Sequence, residues 1–447
     1  MKIELSGHYS TRRLVLTSLS TIAMMMITSV YSIVDGYFVS NFAGTTAFAA
    51  LNLVWPALAL VSAVGLMIGT GGSALVSKCL GEDDERRACS IFTVLVRLCI
   101  EVGLVVTAVL FVLMKPVVLA LGAEGAMVPL ALTYGRIVVL CMPGFILQMA
   151  FQSFFMTAER PELGTGMSLF SGCLNIVLDA LFIIVFGWGL MGAALGTAIA
   201  LAAGGIYPLI FFSSKRNTTH LRFVRTAGTD WKAILKTCTN GMSEYVGNVA
   251  LSVVSIGYNL QLMKYIGEDG VSAYGIIMYV GFIFAAVFIG YNICVSQVIA
   301  YNYGAGNREE LRSLLRKSLE LVLLGGAVLT ALAEVGAPLL SRLFVGYDQA
   351  LCDLTCRALR IYMLSFLLCG LNMFCSAWFT ALGNGLVSAF AAFVRTLVFE
   401  IATVFILPSI IGIDGIWCSV CVAELLSTLM SAGLIWGYRK RYLWCCP

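Results

Sequence analysis

Apolar runs of about 20 residues or more recur along the chain from Leu14 to Trp436, interrupted by short polar segments. Each run is long enough to cross about 30 Å of hydrocarbon as a helix. The pattern predicts helices near 14–39, 48–78, 89–113, 130–157, 163–186 and 189–213 in the first half. Six more are predicted near 236–264, 272–302, 313–336, 355–382, 386–408 and 412–437. The expected fold class is therefore all-α, with twelve transmembrane helices. A β-barrel would need short alternating strands instead. The first run follows Arg12 and Arg13 without a small-residue cleavage site and reads as a retained helix.

The two sets of six are joined by the longest polar segment, Lys215 to Lys232. The domain expectation is an N-terminal six-helix bundle over 1–213, a linker over 214–235 and a C-terminal bundle over 236–447. The halves repeat one another. An ungapped shift of 223 residues puts Ser32 and Ile33 on Ser255 and Ile256, Gly44 on Gly267, Ala50 on Ala273, Ser73 on Ser296 and Gly81 on Gly304. An even number of helices separates the copies, so a pseudo-two-fold axis along the membrane normal relates them. Two such bundles enclose a central cleft that can open alternately to either side.

Composition sharpens this picture. Sixty per cent of the 447 residues are hydrophobic and 12% charged, far from the roughly 25% charged of soluble domains. Lysine and arginine gather on the side shared by both termini: Lys78, Arg86, Arg87, Arg160, the linker, Arg308 to Lys317, and Arg439 to Arg441. The positive-inside rule then places the termini and linker in the cytoplasm, in a multi-pass inner-membrane protein. The fifteen cysteines lie mostly in apolar runs and read as packing residues, including the Cys418/Cys421 pair. His8 and His220 lie in polar segments, which disfavours imidazole metal sites within the membrane. No HExxH or GxSxG constellation appears, which disfavours an intramembrane enzyme, and no nucleic-acid partner is expected.

Ionised groups inside the membrane are costly and demand a reason. Asp35 and Asp179 each precede an outer turn by several residues, which sets them at similar depth. Tyr31 and Asn175 lie one helical turn before them, and Thr197 returns to the same depth on the next helix. Together they form an oxygen-lined pocket suited either to a proton held between two carboxyls or to a sodium ion. The alternative is that each acid merely bonds a neighbouring helix. The shift carries Asp35 to Tyr258 and the neighbourhoods of Asp179 and Thr197 to Thr403 and Val420, so the acids belong to one half only. The second half has its own charges, Glu244, Arg395 and Glu400. Glu244 is expected either to face the cleft or to pair with Arg395.

With Asp35 in VDGYFVSNFAG, the charged run after Gly81 and the spacing of Asn175 and Asp179, the whole chain resembles the multidrug and toxic compound extrusion (MATE) family, in its DinF-like and MepA-like branch. The resemblance implies two bundles in a V shape and antiport of drug-like, often cationic, small molecules against H+ or Na+, with no other cofactor. It places the cation site on Asp35, Asn175, Asp179 and Thr197, with Tyr31 and Tyr134 as neighbours. Substrate contacts are expected from Met24, Phe151, Gln152, Glu244, Phe282 and Asn372. The chain departs from many relatives in lacking a proline between Ser10 and Ser40, and Cys369 and Asn372 stand where some members carry a tenth-helix acid. A lipid-intermediate flippase of the same superfamily is the alternative; it would show a strongly basic cleft, whereas Arg97, Arg136 and Arg395 are the deeply placed cations here. The protein is expected to be a monomer in the lipid bilayer.

Overall fold

The computed structural model of the chain describes residues 4–214, 217–225, 228, 230–346 and 348–444. The first half runs α1 (Thr11–Phe38), α2 (Thr45–Gly81), α3 (Glu85–Ala120), α4 (Met127–Leu140), α5 (Met142–Thr157), α6 (Pro161–Asp179) and α7 (Gly189–Ser213). The second runs α8 (Trp231–Tyr265), α9 (Glu268–Gly304), α10 (Arg308–Val345), α11 (Gln349–Met363), α12 (Phe366–Ala381), α13 (Gly385–Phe393), α14 (Ile401–Ile411) and α15 (Ile413–Arg439). Short π-helical turns extend α1 over Val39–Ala43, extend α6 over Ala180–Val185 and join α13 to α14 over Val394–Glu400. Among the described residues ten helices are long and apolar enough to cross a membrane, and two bent pairs bring the number of spans to twelve.

The bent pairs fall in the spans expected at 130–157 and 355–382. The α4–α5 pair turns by 59° and the α11–α12 pair by 44°. Pro143, near the start of α5, has no N–H to continue the ladder of α4. The freed carbonyl of Val139 accepts the Thr107 hydroxyl at 2.9 Å. In the second half Thr330, 223 residues after Thr107, donates to the Met363 carbonyl at 3.3 Å. The Cys421 thiol donates to Ile361 O at 3.1 Å, a packing role for this cysteine. Broken helices survive in lipid only where side chains re-satisfy the backbone in this way.

The linker is shorter than expected. Asp230 caps α8 by accepting the Ala233 N–H at 3.0 Å, so Trp231 and Lys232 already belong to the helix.

The repeat is visible in the backbone. Gly44 and Gly267, paired by the shift, begin α2 and α9 with φ of 96° and 92°, where a side chain would be strained. At the other ends of these helices the two copies meet each other. A Cβ on Gly81 would overlap the Tyr301 carbonyl, and one on Gly304 would overlap the Lys78 carbonyl, a reciprocal contact across the pseudo-two-fold axis.

The halves are joined on the face that carries both termini. Gln297 Nε2 donates to Ser73 Oγ at 2.8 Å, and its Oε1 accepts from Ser77 at 2.9 Å and Thr157 at 3.2 Å. The segment before α1 straps the same face. Leu5 N donates to Glu159 Oε1 at 2.7 Å on one half, and on the other Tyr9 N donates to Glu310 Oε1 at 2.9 Å. His8 Nδ1 reaches Glu310 Oε2 at 2.6 Å, and Tyr9 is fully buried. This is a state closed on the terminal face.

Because the α2/α9 crossing has no space for a side chain, Gly81→Val or Gly304→Val should each cost about 1–3 kcal/mol. Thermal unfolding of the purified protein should show similar losses for the two variants; a loss for only one would contradict the reciprocal contact.

Candidate cation site

Asp179 ends the regular part of α6, directly before a π-helical turn, a distortion often found at functional sites. The turn and Gly196 of α7 shape its surroundings. A Cβ on Gly196 would collide with Asp179 Oδ1, so only glycine lets the carboxyl settle against α7. Asp35, near the end of α1, faces Asp179 across the same pocket. Neither Asp179 oxygen, nor Asp35 Oδ1, finds a partner of regular geometry. Asp179 is fully buried.

The other expected residues converge here. Asn175 Nδ2 points at Thr197 Oγ1, 3.5 Å away, and leaves its own Oδ1 unpartnered. Tyr134 is fully buried, feels both carboxyls, and has an unpartnered hydroxyl. Tyr31 lies beside Asp35 with its ring against Gly172, 3.1 Å from where a Cβ would stand. The result is a buried cluster of oxygen atoms from α1, α4, α6 and α7 with more acceptors than donors. A buried unpaired acceptor is unfavourable, so this arrangement asks for a positive charge. Two carboxyls, an amide oxygen and hydroxyls suit a shared proton or a sodium ion; Asp35, Asn175, Asp179 and Thr197 would be the ligands of the latter. Among the described residues no group of three or more His, Cys, Asp or Glu side chains is arranged to hold a metal ion.

The second half departs from expectation. Arg395 does not pair with Glu244. Its Nε donates to Glu424 Oε1 at 2.9 Å, and its Nη2 also reaches Cys369 Sγ at 3.2 Å. Glu424 is buried and receives Asn372 Nδ2 on its second oxygen at 2.6 Å. Glu424 carries the same sequence signal as Asp35, a lone carboxylate in an apolar run, and was recognisable on that ground. A guanidinium matches a carboxylate by its fork of donors, and Glu424 on α15 lies within that reach.

The expected substrate contacts separate. Phe282 is exposed and Glu244 half-buried. Asn372 is committed to Glu424, and Phe151 is fully buried in a cluster with Phe92, Phe154, Phe155 and Phe212. Met24 and Gln152 are also buried, Met24 in the hydrophobic cluster formed chiefly by the second half. All four are buried in the conformation described here. Arg97 and Arg136 are exposed on the outer surface, Arg97 bonded to Glu101 at 2.7 Å.

The Arg395–Glu424 pair generates a stability prediction. Arg395→Ala should cost about 3–5 kcal/mol by stranding a buried carboxylate, whereas Arg395→Met with Glu424→Leu should recover most of it. Denaturant unfolding of the variants checks this; equal losses in the single and double variants would contradict it.

A model of the MatE family matches the chain twice, over residues 21–181 and 244–406. The chain is 24% identical over 419 residues to the multidrug export protein MepA of Staphylococcus aureus strain MRSA252, covering 93% of this chain and 91% of that one. It is similarly 24% identical over 417 residues to MepA of Staphylococcus haemolyticus strain JCSC1435, with the same coverage. It superposes on the outward-facing conformation of a multidrug resistance MATE family transporter of the MOP superfamily with a TM-score of 0.90 at 21% identity, covering 97% of this chain and 96% of that one. A MOP superfamily transporter from Pyrococcus furiosus, described as having a binding pocket of reverse polarity, shares the fold with a TM-score of 0.89 at 20% identity and the same coverage. The two matched segments span most of both helix bundles, and the chain belongs to the MatE family, the multidrug and toxic compound extrusion transporters.

Proposed function

We propose that the chain is a secondary antiporter that exports drug-like, often cationic, small molecules in exchange for an entering H+ or Na+, by alternating access. The observation that carries this reading is the pairing of the half-buried Asp35 with the fully buried Asp179, with its surplus of unpartnered acceptors. The names of the MepA relatives, multidrug export proteins, support the substrate class. The lysine and arginine bias supports cytoplasmic termini in the inner membrane. The working unit in this reading is a monomer, and it needs no cofactor beyond the coupling ion.

A cation arriving from the outer face neutralises the facing carboxyls. Tyr134, Asn175 and Thr197 can then close around them, and α1, α6 and α7 draw together. The emptied and charged site favours the opposite opening, in which the Gln297 seam and the Glu310 strap part. Exchange follows if cation and substrate prefer different conformations. A flippase with a strongly basic cleft is less well supported, because the charge of Arg395 is engaged by Glu424.

Ethidium or fluoroquinolone efflux into everted vesicles, energised by a pH or a sodium gradient, tests the reading. Asp35→Asn should lower gradient-driven transport by about tenfold or more. Wild-type rates for this variant under both gradients would remove the proposed site.

A further inference from the structure

The unpartnered polar atoms do not stop at the cation site. Asp179, Asn175, Ser171, Ser168 and Gly164 follow one another along α6 at steps of three or four residues and so share one face. Opposite them, on antiparallel α5, stand Gln148, Gln152 and Phe155. The register is set at the top, where Gln148 Nε2 donates to Ser171 Oγ at 3.4 Å, and at the bottom, where a Cβ on Gly164 would lie 3.4 Å from the Phe155 Cβ. Gln152 and Ser168 fall between as the intermediate layer.

These side chains are almost completely buried, yet Gln148 Oε1, both side-chain polar atoms of Gln152 and Ser168 Oγ have no hydrogen-bond partner. Buried polar groups are otherwise paired with few exceptions. A row of such groups inside an apolar bundle has the chemistry to line a path for water and a small cation. Fifteen residues of α6 at 1.5 Å each carry it about 22 Å, from the acid pair to the last turn before the terminal face.

There the character changes. Met24 Sδ lies 3.1 Å from where a Cβ on Gly164 would stand, and the Phe155 ring packs on Phe212 with centroids 5.6 Å apart and on Phe211 at 6.2 Å. Just beyond, on the terminal face, lies a cavity of about 430 Å³ whose wall includes Glu4, Asp83, Glu85 and Glu159, with Arg160 and His220 as the basic groups, His220 lying 3.7 Å from Glu85. Its acidic wall concentrates cations at the mouth.

We propose that this seam is the inner route of the coupling cation within the first half: a polar path through Gln148, Ser171, Gln152 and Ser168, stoppered by Phe155 and Met24, opening into the acidic cavity. The proposal rests on the antiport reading for the identity of the ion, H+ or Na+. It gives Met24 and Gln152 a part in cation release in place of the substrate contacts expected of them. In the conformation described here the stopper is shut, consistent with the closed terminal face.

Proteoliposomes loaded with a pH-sensitive or sodium-sensitive dye test it without any drug. Phe155→Ala should raise passive flux of the coupling ion by about tenfold or more over wild type, and adding Gln152→Leu should return it to the wild-type rate. A folded Phe155→Ala protein as tight as wild type, or a leak indifferent to Gln152→Leu, would overturn the route. Should Phe155→Ala not fold, Gln152→Leu and Ser168→Val in an otherwise intact chain decide the matter. Cation release on the terminal side should slow by about tenfold while binding from the opposite face is retained; unchanged release overturns the route. Failure of the antiport reading has a separate signature, drug export by Asp35→Asn that keeps its gradient dependence.

Discussion

Two carboxyl groups facing each other within an apolar bundle cannot readily both remain charged without a counter-ion, and the first half is arranged around that constraint. Neighbouring charges at such range repel strongly where the surroundings are poorly polarisable. The described structure gives them no arginine or lysine as a resident counter-charge, in contrast to Glu424, which holds Arg395 permanently. In the proposed antiport reading one half therefore contains an exchangeable charge and the other a paired one. That difference is what the proposed coupling of an ion to a shape change rests on.

The frame that carries this difference is symmetric. Glycines start α2 and α9 and allow them to cross, and hydroxyls of Thr107 and Thr330 mend the two bent spans in the same way. The chemistry is not repeated. Tyr258 occupies the position matching Asp35, and its hydroxyl bonds Ser419, one residue before the match of Thr197, at 2.9 Å. Glu310, which anchors the strap, matches Arg87 in the first half. Backbone geometry is shared because both bundles must span the same thickness of lipid. Side-chain charge is free to diverge because spanning length does not constrain it.

Most of the fold was legible in the apolar runs, since spanning length and hydropathy determine membrane helices with little interference from tertiary contacts. The convergence of the candidate site was legible too, because Asp35, Asn175, Asp179 and Thr197 stand out against apolar neighbours and helical rise converts sequence position into depth. The bends at Cys141 and Leu364 were not, because a span that breaks and continues has the same hydropathy as a straight one. Nor was the partner of Arg395: several carboxylates lie at compatible depth, and only the packing of α12, α13 and α15 selects Glu424 over Glu244. Gly196 was hidden as well. In a run rich in glycine and alanine, nothing but the position of Asp179 distinguishes the glycine that must have no side chain.

The central claim is that cation and substrate compete through conformation at the Asp35/Asp179 pair. Equilibrium binding of a fluorescent cationic drug to the purified protein, measured across pH and sodium concentration, tests this most directly. The account predicts that drug affinity falls as one of the two ions saturates its site, and that the dependence disappears in the Asp35→Asn, Asp179→Asn double variant. A double variant that still folds, binds the drug and shows the wild-type dependence would contradict it.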